Sequence, residues 1–336
     1  MEETRQLYWK LYLDNISKFV CELTKLHEYK VRSKLLSFNT FLIGFYKYNF
    51  IFMPPIAAIK KHQNLLRDDI EHNYKLSDNE FDSIIHKIIE LRDKFTKLGK
   101  LDKNNYHSEV KLPDYKHMKK SYTGDDIKLS VRQLVLRYEY YGESRHGICL
   151  SLDQIYKWCK GGLEMFAGAI NSNLPDYCSL FPDLEHEFGS KGSVFQYKGI
   201  TKFNLLVCNP PYYNNIMTEA AKLIVKYFKK VKNGMAIMVV PDWRSESQYD
   251  EEQIKISELP QKRQKIIYPC YEILRNSDYY RNTILVGNYK FKNYFDSSGS
   301  NYSQIRDNII IVILTSLEDD IRIKKFIKFV NSTLRH

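Results

Sequence analysis

The six cysteines, at positions 21, 149, 159, 178, 208 and 270, form no CxxC pair and no Cys/His cluster. That pattern argues against a zinc site and against a disulfide framework, and fits reduced, buried thiols in an intracellular protein. No metal is expected. The N-terminus MEETRQLYWK is charged and no apolar h-region follows it, so no secretory signal is expected. Long hydrophobic runs are missing too. The most apolar stretch, FLIGFYKYNFIFMPPIAAI, is interrupted by Lys47 and by Pro54-Pro55, short of the ~20 apolar residues that a membrane span requires. No membrane partner is expected. The sequence has no internal repeat, no low-complexity tract and no good GxGxxG phosphate loop.

What remains is a globular composition. The chain has 336 residues, enough for two domains each with its own core, and is rich in tyrosine (26) and phenylalanine (18). Its net charge of +11 suits a polyanionic partner. The excess is spread over both halves, but it gathers locally in Lys116–Lys120 (KHMKK) and in KLIVKYFKKVK, residues 222–232, which holds lysines and no acid. Such a run is also what a solvated helix face looks like.

The first part of the chain reads as helical. Leu7, Leu11, Phe19, Val20, Leu23 and Leu26 approximate one helical face. A better-marked helix follows, with a Ser77/Glu80 capping box, an apolar stripe of Phe81, Ile84, Ile85, Ile88, Phe95 and Leu98, and Gly99 as its stop. Another, IKLSVRQLVLRYEYYG, ends at Gly142. After about residue 145 the pattern changes. LEMFAGAI, FNLLVC, MAIMVVP, KIIYPCY, NTILVGNY and NIIIVIL read as strands, with AAKLIVKYFKKV an amphipathic helix among them. Alternating strands and helices predict a mostly parallel α/β sheet. The organisation expected is a helical domain over 1–145 and a Rossmann-like α/β domain over 146–336.

The most informative stretch is FNLLVCNPPYYNN, residues 203–215. A short apolar strand runs into Asn209-Pro210-Pro211-Tyr212. Proline ends ladder pairing and holds the preceding residue extended. In open α/β sheets, ligands bind at the carboxyl ends of strands. A rigid polar-then-aromatic corner there suits a planar, hydrogen-bonding substrate. An adenine amine is a poor nucleophile because its lone pair is delocalised. The Asn209 side-chain oxygen and the Pro210 carbonyl would accept its two hydrogens, and Tyr212 would stack on the base, a contact worth about 1–3 kcal/mol. Positioning and fixed dipoles then suffice for transfer of a methyl group from a sulfonium donor. Upstream, Gly168 allows close backbone approach. Asp183, read as the acidic residue ending the second strand, would take a ribose hydroxyl pair. FGSKG, residues 188–192, is a further loop ahead of the Asn209 strand.

The ordered runs LEMFAGAINSNLPDYCSLFPDLEHEFGSKG, FNLLVCNPPYYNNIM, MAIMVVPDWR and RNTILV resemble the phosphorylated-CTD-interacting-factor family over roughly residues 145–290. The resemblance implies a cap-specific adenosine N6-methyltransferase that uses S-adenosylmethionine. Its substrate would be the 5′ end of capped mRNA beginning with 2′-O-methyladenosine. It implies that Asn209, Pro210, Pro211 and Tyr212 hold the target adenine, with Asn209 also near the donor. Phe166, Gly168, Asn171, Asp183, Phe188, Gly189 and Ser190 would surround the donor. Trp243, Arg244 and Asn282, the last with Thr283, would line the substrate path. Animal members carry a WW domain. The tryptophans here, Trp9, Trp158 and Trp243, do not make one, so direct binding of the phosphorylated polymerase tail is not expected. Adenine methylation of DNA or other RNA, glutamine methylation of protein, and a non-catalytic RNA-binding role remain the alternatives.

Overall fold

The computed structural model describes residues 2–48, 53–71, 74–102, 112–141, 148–150, 153–244, 268–286, 290–293, 302–304, 308–317 and 321–333. Five helices come first: α1 (Glu2–Thr24), α2 (Glu28–Phe45), α3 (Ile56–Glu71), α4 (Asp78–Leu101) and α5 (Ile127–Tyr141). The α4 start is as expected. Ser77 Oγ accepts from the Glu80 N–H, and the Glu80 carboxylate accepts from the Ser77 N–H at 2.8 Å. Its stop is not. Gly99 lies inside the helix and is buried, and Leu98 faces solvent while Leu91 joins the buried stripe. The buried face of α1 also differs. It is built on Trp9, Tyr12, Leu13, Ile16 and Val20, at i, i+3, i+4, i+7 and i+11, and Leu11 points outward. The expected face follows the aliphatic residues and passes over the aromatic pair, Trp9 and Tyr12, which stack 5.5 Å apart.

The second half alternates strands with helices: β1 (Ile148–Leu150), α6 (Asp153–Trp158), β2 (Leu163–Glu164), β3 (Asp176–Tyr177), α7 (Pro182–Glu185), β4 (Leu205–Cys208), α8 (Asn214–Phe228), β5 (Met235–Pro241), α9 (Pro269–Arg275), β6 (Tyr280–Val286), β7 (Lys290–Asn293), β8 (Tyr302–Gln304), β9 (Ile309–Thr315) and α10 (Ile321–Thr333). The main sheet has the order β3-β2-β4-β5-β9-β6. β3, β2, β4 and β5 run parallel, and β9 is reversed between β5 and β6. β1, β7 and β8 form a small antiparallel sheet. The fold class expected from the sequence, a helical region followed by an α/β unit, is the one observed. KIIYPCY, expected as a strand, is different. Its first three residues lie outside the described residues, and Pro269–Tyr271 open α9 instead, with Pro269 in the first turn where proline is tolerated.

β5 and β9 are buried along their whole lengths, which is why both read as unbroken apolar runs. Ala236, Met238 and Val240 face α8 and α9. Met235, Ile237 and Val239 face α6 and α10. The helical region does not close a core of its own. Its apolar cluster continues through Ala169, Ile170, Tyr177, Phe181, Phe188 and Ile216 of the α/β unit. Phe45 stacks on Phe195 at 4.2 Å, and the Gly44 carbonyl accepts from Ser193 Oγ and Gln196 Nε2. The expected boundary near residue 145 falls outside the described residues.

Candidate active site

The chain leaves β2 for β3 on one side and then crosses back to β4 on the other. This reversal places the carboxyl ends of β2 and β4 beside each other, the position where open α/β sheets bind ligands. Two segments meet there: the loop after β2 and the Asn209 corner after β4.

The loop after β2 is fixed from several directions. Met165 N–H bonds the Val207 carbonyl and Ala167 N–H the Cys178 carbonyl. Asn171 Oδ1 accepts from the Gly168 N–H at 2.6 Å and closes the turn. Gly168 has an ordinary negative φ. Its need for glycine is spatial, because a Cβ would sit 3.1 Å from Tyr138 Oη and 3.2 Å from Glu185 Oε1. Those two atoms belong to one hub. Glu185, fully buried, accepts from the Ala169 N–H at 2.8 Å, from Tyr138 Oη at 3.0 Å and from the Phe181 N–H at 3.3 Å. Burial raises its pKa against these bonds. Glu164, at the end of β2, accepts from the Asn173 and Leu174 N–H groups at 2.8 and 3.1 Å, and burial pushes its carboxyl up to about 7. From the helical region, the His117 ring bonds the Ile170 carbonyl at 3.1 Å.

Asn171 and the FGSKG residues are structural in their contacts. Phe188 is buried, and its carbonyl accepts from Tyr177 Oη. Gly189 and Gly192 take φ of +94° and +83°, left-handed conformations suited to glycine. Ser190 Oγ pairs with Ser179 Oγ at 2.6 Å. Phe166 is half-buried, edge-on to Phe195.

Asp183 does not end the second strand. It stands at the start of α7, six residues beyond β3, where Arg137 Nη1 donates to both its oxygens at 2.6 Å and Tyr48 Oη donates at 2.5 Å. Arg137 is fully buried, and its other edge forks onto Glu2. Burial works against the Asp183 charge, but Arg137 outweighs it and holds the carboxyl below its usual range. The carboxylate therefore ties α1, α5 and the segment that follows α2 to α7.

At the corner, Asn209 is half-buried and Pro210 buried. The Tyr213 N–H bonds the Pro211 carbonyl at 2.7 Å, tightening the exit into α8. Tyr212 Oη donates to Asn209 Oδ1 at 3.3 Å, so the amide oxygen carries a long, weak bond that a substrate amine can replace. Tyr212 packs against both faces of the sheet core, and Trp243 and Tyr268 border it at the end of β5, 6.0 Å apart. Trp243 is half-buried, with its backbone N–H on the Pro241 carbonyl. Arg244 is not laid open to a phosphate. It is buried against Asp242 at 2.7 and 3.2 Å and lies over the Tyr271 ring at 5.4 Å. Asn282 is not on this rim either. β6 pairs with β9 so that Asn282 is level with Ile237, whereas Asn209 is level with Val239. Asn282 is also three strands from β4, roughly 14 Å at ~4.8 Å per strand. Its side-chain oxygen accepts from the Thr283 N–H, and Thr283 is buried. The signals that sequence reasoning misses are Glu164, Glu185 and Tyr138. Only Glu164, an acid inside an apolar run, stands out of pattern there.

Among the described residues no helix is long and apolar enough to cross a membrane, and no cluster of His, Cys, Asp or Glu could hold a metal. The chain is similar to the mouse protein named mRNA (2'-O-methyladenosine-N(6)-)-methyltransferase, 27% identical over 114 residues. It is similar to the human protein of the same name, 26% identical over 110 residues. Each match covers 32% of this chain, and the chain spans only 15% of the length of either relative. The family model described as phosphorylated CTD interacting factor 1 WW domain matches residues 115–282, half of the 336. What it matches here runs from the 3-10 turn at Lys116–Lys120 through the four parallel strands to Asn282 in β6. By that match the chain belongs to the phosphorylated CTD interacting factor 1 family.

Proposed function

We propose that this chain methylates N6 of the adenosine next to the cap at the 5′ end of mRNA, with S-adenosylmethionine as donor. The observation that carries the reading is the Asn209-Pro210-Pro211-Tyr212 corner standing beside the Gly168 loop at the crossover of the sheet. The names of the mouse and human relatives support the substrate.

The residues suit the donor in part. The half-exposed Phe166 ring, the close-approach backbone at Gly168 and the Asn209 amide offer an aromatic face and polar groups along one rim. The Asp183 carboxylate is already committed to Arg137, so it is a poor partner for a ribose. When bound, the donor supplies an electrophilic methyl group on a sulfonium. The chain does the rest by positioning. Asn209 Oδ1 exchanges the Tyr212 hydroxyl for one N6–H, and the Pro210 carbonyl takes the other. Drawing on both N–H bonds favours a pyramidal nitrogen with its lone pair free to attack. Tyr212 holds the base plane, and the bordering aromatic rings exclude water. No strong base is needed, because the proton is lost from an already cationic product.

The deciding experiment incubates the protein with labelled donor and RNAs that are capped or uncapped and begin with A or G. The methylated nucleoside is then identified after digestion. We expect label in N6,2′-O-dimethyladenosine from capped RNA beginning with 2′-O-methyladenosine. Equal rates on duplex DNA, internal adenosines or uncapped RNA would overturn the cap-end reading in favour of another adenine methyltransferase. No adenine methylation on any substrate would overturn the chemistry.

A further inference from the structure

We infer that the groove between α8 and α9 is a track for the single-stranded RNA that trails behind the target adenosine. This rests on the reading above and extends it to a second contact surface. The groove is lined by Lys222, Val225, Lys226, Lys229, Lys230 and Ile273. All four lysines are exposed, while Val225 and Ile273 form a half-buried apolar floor. None of the lining residues is acidic. Lys222 pairs with Glu219 at 2.6 Å, but Lys226, Lys229 and Lys230 have no ion pair among the described residues.

Two features single out RNA. The first is continuity. α8 begins at Asn214, directly after the Asn209 corner, and carries the lysines away from it. At 1.5 Å per residue, Lys222 lies roughly 12 Å and Lys226 roughly 18 Å along the axis from the start of α8, and Lys229 and Lys230 follow in the turn that ends it. The second is spacing and chemistry. Lys222 and Lys226 stand one turn apart, about 6 Å along the axis, and Lys229 and Lys230 continue the row past the helix end, so their charges follow one side of the groove as a strand's phosphates do. Their aliphatic stems and the apolar floor suit base faces, which any sequence presents. Strands bound without sequence preference run along a cationic groove of this kind; the floor here is aliphatic, so the row of lysines carries the contact.

The test uses the full chain and the variant Lys226→Ala/Lys229→Ala/Lys230→Ala. Binding of an uncapped, fluorescein-labelled oligoribonucleotide of about 15 nucleotides is measured against salt. Each phosphate contact in a single strand contributes about 0.7 to the slope of log affinity on log salt, so the variant's slope should be shallower by about 2. In methylation assays the KM for capped RNA of that length should rise about tenfold, while kcat and KM for a minimal capped dinucleotide stay at parental values. An unchanged slope and KM would overturn the track. So would an equal KM rise on both lengths, which would mean that the substitutions disturb the adenine pocket. A glutamate-rich peptide that binds with the same salt slope while RNA does not would overturn it in favour of a protein partner. If the parent methylates no capped RNA, the proposed activity fails, and the binding slope still decides the groove.

Discussion

Gly168→Ala is the sharpest probe of the loop after β2. The added methyl would lie 3.1 Å from Tyr138 Oη and 3.2 Å from Glu185 Oε1, a few tenths of an ångström too close. Neither neighbour is free to retreat. Tyr138 and Glu185 are buried and bonded to each other, and Glu185 also holds the Ala169 and Phe181 N–H groups. Overpacking of this kind costs about 1–3 kcal/mol. The strain falls on the loop carrying Phe166 and Ala169, so donor affinity should fall together with stability. Tyr138→Phe removes the oxygen that crowds the methyl but leaves Glu185 one hydrogen bond short, a loss of about 1–3 kcal/mol by itself. The double variant should therefore be more stable than the sum of the two singles by about 1 kcal/mol. Urea unfolding midpoints and calorimetric titration with S-adenosylmethionine read both quantities. A Gly168→Ala protein with parental stability and donor affinity, or a double variant that is strictly additive, would refute this account of the loop.

Asn209→Ala should lower kcat about a hundredfold or more while stability survives and donor affinity falls by no more than the loss of one hydrogen bond, as for loss of one fixed catalytic dipole; near-parental turnover would remove Asn209 from the chemistry. Glu164→Gln tests a buried carboxyl whose folded value, about 7, lies above its ordinary 4.5. Its contribution to stability is complete below about 4.5 and lost as pH rises to about 7, a difference of at most ~3 kcal/mol. The parent should weaken between pH 5 and pH 8 more than the glutamine variant does, and parallel pH profiles would sink the assignment. Ser77→Ala should destabilise the chain by about 1 kcal/mol without touching activity, since it removes the Oγ that accepts from the Glu80 N–H while the Ser77 N–H keeps its bond to the Glu80 carboxylate; no change in the unfolding midpoint would mean that the hydroxyl contributes nothing. Asp183→Ala should lower stability by leaving Arg137 half-paired, with donor affinity kept near parental. A selective loss of donor binding would return Asp183 to the donor site.

Local signals are legible in the amino-acid sequence. The capping box of α4, the apolar lengths of β5 and β9, and the strand exit at Asn209 each depend on residues a few positions apart. What is not legible depends on long-range pairing. Glu185 gains its meaning from Tyr138, 47 positions away, and Asp183 from Arg137, 46 positions away. Asn282 belongs to a legible strand, yet its distance from Asn209 is fixed by the order and register of β5, β9 and β6. Arg244 is the opposite case. Its partner is two residues away, but only burial, which no local pattern announces, closes the pair to an incoming phosphate. Gly99 is buried and the helix runs two residues past it, so the glycine lies near the helix end without forming the cap.

The single core that runs from the first helices into the α/β unit bears on inheritance. A chain whose halves fold apart can be shortened, fused or recombined at the seam, and each piece keeps its solubility. Here, cutting near residue 145 would leave Ala169, Ile170, Tyr177, Phe181 and Phe188 as a bare greasy wall on one fragment. It would also strand Arg137 and Tyr138 on the other, away from Asp183 and Glu185. Neither fragment would be a working module. In descendants of this chain the helices and the sheet must travel together, and changes on one side of their shared wall must be answered on the other.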